Sequence, residues 1–269
     1  MTSLVSKDNT ITSSIVVPGG TRIFYDVVGD GPAILLLHGG GGGQTRQSWH
    51  EAGYVTWLRD EFKVITMDIR GHGDSDKPTN PAAYAIETMC GDILMVADAC
   101  NVEKFALWGF SYGGNIGRYL AAQSDRVEKI IIMGIPFGHA ASGDFRQFIM
   151  DFRAHWQPIL RAQEAGTFDP TVLSEEDQDV MANMDVPVTL AWLTAMLDWG
   201  LNEPNDLRCP VLWLSGSENE GTVANMRAYE EKTAVSPNVQ IQIIDGLNHP
   251  QEFEEIDRVF PAMLAFTKL

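Results

Sequence analysis

With 269 residues, 45% of them hydrophobic, the chain can fill one large core or a core plus an insertion, and its composition excludes a disordered polypeptide. A formal charge of −17 disfavours nucleic acid and anionic membranes as partners and, more weakly, anionic substrates. No apolar run reaches the length of a membrane span, and residues 1–8 lack a charged segment followed by an apolar one, so no secretory signal is expected and a cytoplasmic location is. In chain order, residues 11–17 and 21–28 are β-rich runs joined by Pro18-Gly19-Gly20 and predict a hairpin. Residues 33–37 form a short run apolar on both faces, a fully buried strand, ending at His38 and the glycines 39–43. A helix is expected over 48–58. A second buried strand over 63–67 ends at Asp68-Ile69-Arg70-Gly71-His72-Gly73-Asp74-Ser75, and a helix follows over 86–99 with Ile86, Met89, Ile93, Val96 and Ala97 on one face. If Cys90 and Cys100 share one helix, they stand about 15 Å apart and cannot bridge. With Cys209 they make an odd set without ligand spacing, read as buried or free thiols.

The next strand runs from Phe105 to Trp108 and meets Gly109-Phe110-Ser111-Tyr112-Gly113, after which 113–123 reads as a helix. Gly-x-Ser-x-Gly at a strand–turn–helix joint is the nucleophile-elbow pattern. So tight a turn strains the serine backbone, side chains two residues to either side would collide with the adjoining strand and helix, and glycine avoids the collision. The helix that follows directs its N-terminal N–H groups at the serine, favouring a developing oxyanion. Further strands are expected over 129–133, 211–215 and 239–244, and a last helix over 251–267. Short doubly apolar strands alternating with helices predict a mostly parallel, eight-stranded sheet covered on both faces.

The alternation stops between 135 and 207. There the sequence offers a helical stripe of Phe145, Phe148, Phe152, Trp156 and Ile159, a capping Ser174 before three acids, and Pro187 at the start of a further helix. This segment reads as a helical lid inserted into a core made of 1–134 and 208–269. Of its aromatics, which include Trp156, Trp192 and Trp199, most are read as packing residues and one or two as pocket lining.

A His-Gly turn, Asp-x-Arg-Gly-His-Gly-x-Ser, Gly-x-Ser-x-Gly and a late Gly246-Leu247-Asn248-His249 follow successive strands. In this order they resemble the α/β-hydrolase fold superfamily over nearly the whole chain. The resemblance implies Ser111 as nucleophile and His249, on the loop after the last strand, as its general base. It implies an oxyanion hole from the backbone N–H groups of Tyr112 and Gly40, with Gly41 as the alternative to Gly40. His38 is then a structural hydrogen-bonder and His72 shapes its loop; His50, His139 and His155 carry no motif. A phosphate-binding reading of the glycine run fails because no Lys-Ser/Thr pair follows it.

The triad acid of the superfamily usually follows Gly-x-x after the seventh strand, where this chain has Asn219. An amide cannot supply the charge that stabilises an imidazolium. Glu220 is the expected substitute, Glu218 the alternative, and Asp144 a distant one. The expectation is a serine hydrolase cleaving a carboxylic ester or lactone of a neutral, partly apolar small molecule, with no metal or organic cofactor. Carbon–carbon bond or amide hydrolysis on the same machinery is kept open, as is a slow or non-catalytic ligand-binding protein on a hydrolase scaffold, which the amide at 219 motivates. Epoxide hydrolases and haloalkane dehalogenases of this fold generally carry aspartate at the elbow, and Ser111 argues against both.

Overall fold

The apolar runs of the sequence line up as neighbouring strands in a computed structural model, which describes residues 4–5, 10–41, 43–232 and 235–268. Two expectations fall wholly or partly outside those residues: the absence of a leader, read from 1–8, and Gly42 of the glycine run. The sheet is built from β1 (Leu4–Val5), β2 (Ile11–Val16), β3 (Arg22–Val28), β4 (Ala33–Leu37), β5 (Lys63–Met67), β6 (Phe105–Phe110), β7 (Val127–Met133), β8 (Val211–Gly216) and β9 (Val239–Ile244), in the spatial order 1-2-3-5-4-6-7-8-9. β2, β3 and β5 pair antiparallel, and every pair from β5 through β4 to β9 is parallel. Eight of these strands match the expected ones. The two-residue β1, paired antiparallel with β2, adds to them at the edge and is too short to leave a pattern in the sequence.

The central strands are buried beyond the first residues of β4 and β5, as runs apolar on both faces require. One face of the sheet packs on α3 (Ile86–Ala99), α4 (Tyr112–Gln123) and α8 (Glu220–Glu230) through Ile93, Ile116 and Met226. The other packs on α1 (Arg46–Glu51), α2 (Tyr54–Leu58), α9 (Gln251–Glu254) and α10 (Ile256–Lys268) through Trp49, Tyr54, Phe253 and Phe260. Two expected helices are each broken in two. Gly53, at φ +91°, separates α1 from α2, and Glu255 separates α9 from α10.

After β7 the chain leaves the sheet for α5 (Gly143–Glu164), α6 (Glu175–Asn183) and α7 (Val186–Met196). Ser174 caps α6 in a reciprocal pair with Asp177. Only the second half of the α5 stripe is covered: Trp156 packs with Val186 and Leu190, while Phe145 and Phe148 stay exposed. The stripe is apolar along its whole length, but the 11-residue α7 is too short to cover the 22-residue α5. Trp192 and Trp199 instead join the core over the sheet, so α7 roots the insertion there. The two ends of the insertion are pinned together by a bridge between Gly138 and Asn202. The fully buried Arg118 of α4 donates to both of their carbonyls at 2.9 Å.

Cys90, Cys100 and Cys209 are free and buried, and burial pushes their thiols up to about 12, 11 and 12. Among the described residues no helix is long and apolar enough to cross a membrane.

Candidate functional site

Ser111 stands where the buried strand β6 turns directly into α4. Its backbone sits at φ 51°, ψ −114°, a left-handed φ that a β-carbon opposes. Neighbouring hydrogen bonds hold it there: Ser111 N–H donates to Met133 at 3.0 Å, and Gly113 N–H to His38 at 3.0 Å. A β-carbon on Gly109 would come within 2.6 Å of Gly114, and one on Gly113 would strike the Leu37 carbonyl. The glycines are therefore a packing requirement of the turn, as the sequence implied.

His249 lies after β9, on the loop leading into α9. Its Nε2 is 3.0 Å from Ser111 Oγ, and its ring stacks on Phe110 at 4.9 Å between centroids. The side chain is 39% exposed, which leaves room for a ligand beside it.

The acid facing the histidine is not the expected one. His249 Nδ1 lies 2.8 Å from Oε2 of Glu252, three residues later and one helical turn away. Glu252 is fully buried, and its Oε1 accepts from Ser215 Oγ at 2.7 Å, Gly216 N–H at 2.7 Å and Asn219 Nδ2 at 3.1 Å. A carboxylate with this many donors is fixed in direction. Glu220 is exposed, because α8 begins at that residue and turns its side chain to solvent. Glu218 is also exposed on the turn before it, and Asp144 is exposed at the start of α5. Among the described residues, the hydrogen-bond partners of His249 are Ser111, Asn219 and Glu252. The i, i+3 spacing from histidine to glutamate was visible in the sequence, but Glu254 and Glu255 stand beside Glu252 and dilute that signal.

The residue after β7 is Gly134, at φ +76°. A β-carbon there would strike Glu252 Oε2 and come within 2.6 Å of His249 Nδ1. Gly134→Ala should therefore displace the His249–Glu252 pair. A displacement near 1 Å at such a pair costs about hundredfold in rate. The check is kcat on a p-nitrophenyl ester beside the circular dichroism of the folded variant.

The turn after β4 lies against the elbow. A β-carbon on Gly40 would be 3.0 Å from Cβ of Tyr112 and 3.1 Å from the indole of Trp192 in the insertion. Neither the Gly40 nor the Tyr112 N–H donates to a protein acceptor among the described residues, so both are free for an anionic oxygen; Gly41 N–H is free in the same sense. Two histidines hold the turn. His38 Nε2 accepts from Ile69 N–H at 3.0 Å, so the proton is on Nδ1, which donates to the Gly39 carbonyl at 2.7 Å. Burial, with a smaller push from His72, brings His38 down to about 3 and keeps it neutral. Because the Gly39 carbonyl and the Gly40 N–H belong to one peptide plane, His38 also sets the direction of that N–H. His72 Nε2 lies 3.1 Å from the Gly40 carbonyl, and burial lowers its pKa as well.

This arrangement lets an imidazole take a hydroxyl proton while a buried carboxylate stabilises the resulting imidazolium, with free N–H groups close by. Among the described residues no group of three or more His, Cys, Asp or Glu side chains is placed to hold a metal ion.

A family model described as the alpha/beta hydrolase fold matches residues 32–157, which include the glycine turn after β4 and the turn at Ser111. Epoxide hydrolase 3 of Siraitia grosvenorii is 31% identical over 120 residues, covering 44% of this chain and 37% of that protein. The soluble epoxide hydrolase of a Corynebacterium species is 32% identical over 136 residues, 50% of this chain and 45% of the other. A putative 2-succinyl-6-hydroxy-2,4-cyclohexadiene-1-carboxylate synthase of Bacillus subtilis is 30% identical over 155 residues, 56% and 54%. The chain thus matches only about a third to a half of the length of these curated relatives. Among solved structures, an epoxide hydrolase from Vigna radiata superposes with a TM-score of 0.73 at 19% identity, covering 98% of this chain and 99% of that one. A hydrolase from Pseudomonas aeruginosa gives 0.72 at 21%, covering 96% and 98%.

Proposed function

We propose that this chain, which has the α/β-hydrolase fold, is a serine hydrolase that cleaves a neutral, partly apolar carboxylic ester or lactone through an acyl-enzyme on Ser111. The observation that carries the reading is the continuous path Ser111 Oγ–His249–Glu252, with contacts of 3.0 and 2.8 Å. Ser111 attacks the carbonyl carbon while His249 Nε2 takes its proton. The oxyanion is received by the N–H groups of Tyr112 and Gly40, and His249 returns the proton to the departing alcohol. Water, activated by the same nitrogen, then attacks the acyl carbon and frees Ser111. Glu252 stabilises the imidazolium in both halves. The amide at 219, which motivated a non-catalytic alternative, loses its force once Glu252 faces the ring.

The relatives named as epoxide hydrolases favour a second reading, ring opening of an epoxide. Its chemistry fits this site poorly. A serine oxygen that opened an epoxide would form an ether, which has no acyl carbon for water to attack, so the cycle would stop after one turn. Opening is also assisted by an acid at the epoxide oxygen, and the insertion 135–207 contains no tyrosine to supply one.

The test sets p-nitrophenyl butyrate and a neutral γ-lactone against styrene oxide. The expected result is sustained hydrolysis of the ester or the lactone and no multiple-turnover diol. Sustained diol formation with no ester cleavage would reverse the proposal. Anionic esters outpacing neutral ones of equal size would remove its substrate class.

A further inference from the structure

Asn219 ends the turn after β8, at the position where this fold usually carries its acid. Its Nδ2 donates to the Gly134 carbonyl at 3.0 Å and faces both oxygens of Glu252, at 3.1 and 3.4 Å. His249 Nδ1 is 3.4 Å away. An amide nitrogen has two protons, and these three acceptor atoms use both. The reverse amide orientation would set an oxygen against a carbonyl and a carboxylate, so the network fixes which atom is nitrogen. The amide thus adds to the donors from Ser215 and Gly216 that hold the carboxylate, and brings no charge of its own.

We infer that Asn219 is a positioning residue: it aims Glu252 at His249 Nδ1 and keeps the negative charge beside the ring at one. This rests on the reading of Ser111, His249 and Glu252 as the reacting machinery. A carboxylate at 219 would stand within hydrogen-bond distance of Glu252 and against the Gly134 carbonyl, and like charges so close cannot both ionise freely. Any charge the pair carried beyond one would favour the protonated ring and withhold the base. The titratable groups on the surrounding elements are few. Glu218 and Glu220 are exposed on the turn of Asn219 and the start of α8. Along the loop and α9 lie Asp245 (exposed and bonded to Ser217), His249, Glu252 and Glu254, and residues 134–136 after β7 contribute none.

The test uses two independent readouts on the full chain. The first is NMR titration of the His249 ring, which needs no substrate. The second is kcat and KM for p-nitrophenyl acetate. In Asn219→Asp the ring midpoint should rise by about one pH unit or more, as an added opposite charge at this range does. In Asn219→Ala the midpoint should stay in place. Its kcat should fall about tenfold at unchanged KM, since only the aim of the carboxylate is lost. Asn219→Ser, which restores a donor, should recover part of that loss. An unmoved midpoint in Asn219→Asp, or full kcat in Asn219→Ala, overturns the inference. If Asn219→Asp does not fold, the alanine and serine variants decide alone. Failure of the underlying reading looks different: the parent chain itself would not react with a fluorophosphonate probe.

Discussion

Ser111→Ala should bring ester turnover down by about 10⁶-fold, to the residue left by binding and the oxyanion donors alone. Labelling by a fluorophosphonate should vanish with it, because only a serine whose proton can be taken by a base reacts. The fold should survive, since the hydroxyl is not needed for any backbone contact of the elbow: Ser111 N–H and C=O, not Oγ, bond to Met133 and Asn115. Alanine inherits the unfavourable φ of 51° unchanged. Ser111→Gly gives a sharper version. Glycine tolerates that φ, so this variant should be more stable than the parent by about 1 kcal/mol while equally inactive. A gain in Tm with loss of turnover would mean that chemistry, not folding, keeps a side chain at this strained position. Activity of purified Ser111→Ala within about tenfold of the parent would remove the serine from the mechanism.

Ser111 was readable in advance because the constraint on it is local. A strand, a turn that excludes side chains and a helix follow one another within a few residues, and each leaves its own pattern. His249 was readable from its place after the last strand. The glycine turn after β4 is legible in the sequence, but the way it is held is not. That depends on Ile69 N–H reaching His38, and on His72 reaching Gly40, across 31 and 32 residues of chain. The carboxylate facing His249 is hidden for a different reason. The usual position carries an amide, and sequence adjacency then points to Glu220 on the same turn. What decides the matter is depth: Glu252 reaches under β8 to Ser215 and Gly216, and Gly134 clears the space in front of it. Each of those residues is unremarkable in the sequence, and only their convergence identifies the carboxylate. The exposed half of the α5 stripe has a similar origin, because helical periodicity shows which face is apolar and not how long the covering helix will be.

Glu252→Gln tests that convergence. The side chain keeps its shape and an acceptor oxygen, so Ser215 Oγ and Gly216 N–H retain their partner and the variant should fold. Glu252→Ala would orphan those buried donors as well and confuse stability with chemistry. In Glu252→Gln, with the oxygen held by Ser215 and Gly216, the atom facing His249 Nδ1 becomes the amide nitrogen. It donates to Nδ1 and so selects the tautomer with its proton on Nε2, which cannot accept from Ser111, and the charge that stabilises the imidazolium is lost as well. Loss of the orienting carboxylate lowers kcat by about 10⁴-fold in the serine protease case, and a loss of that order is expected here. KM should change little, because the charge matters most when the ring carries its second proton. Glu220→Gln should stay within about twofold of the parent, as expected for a solvated residue away from the reacting atoms. The two variants exchange places under the competing assignment. A collapse of kcat in Glu220→Gln with Glu252→Gln unharmed would mean that the turn after β8 rearranges to present its glutamate when substrate binds, and that the buried carboxylate only supports the fold.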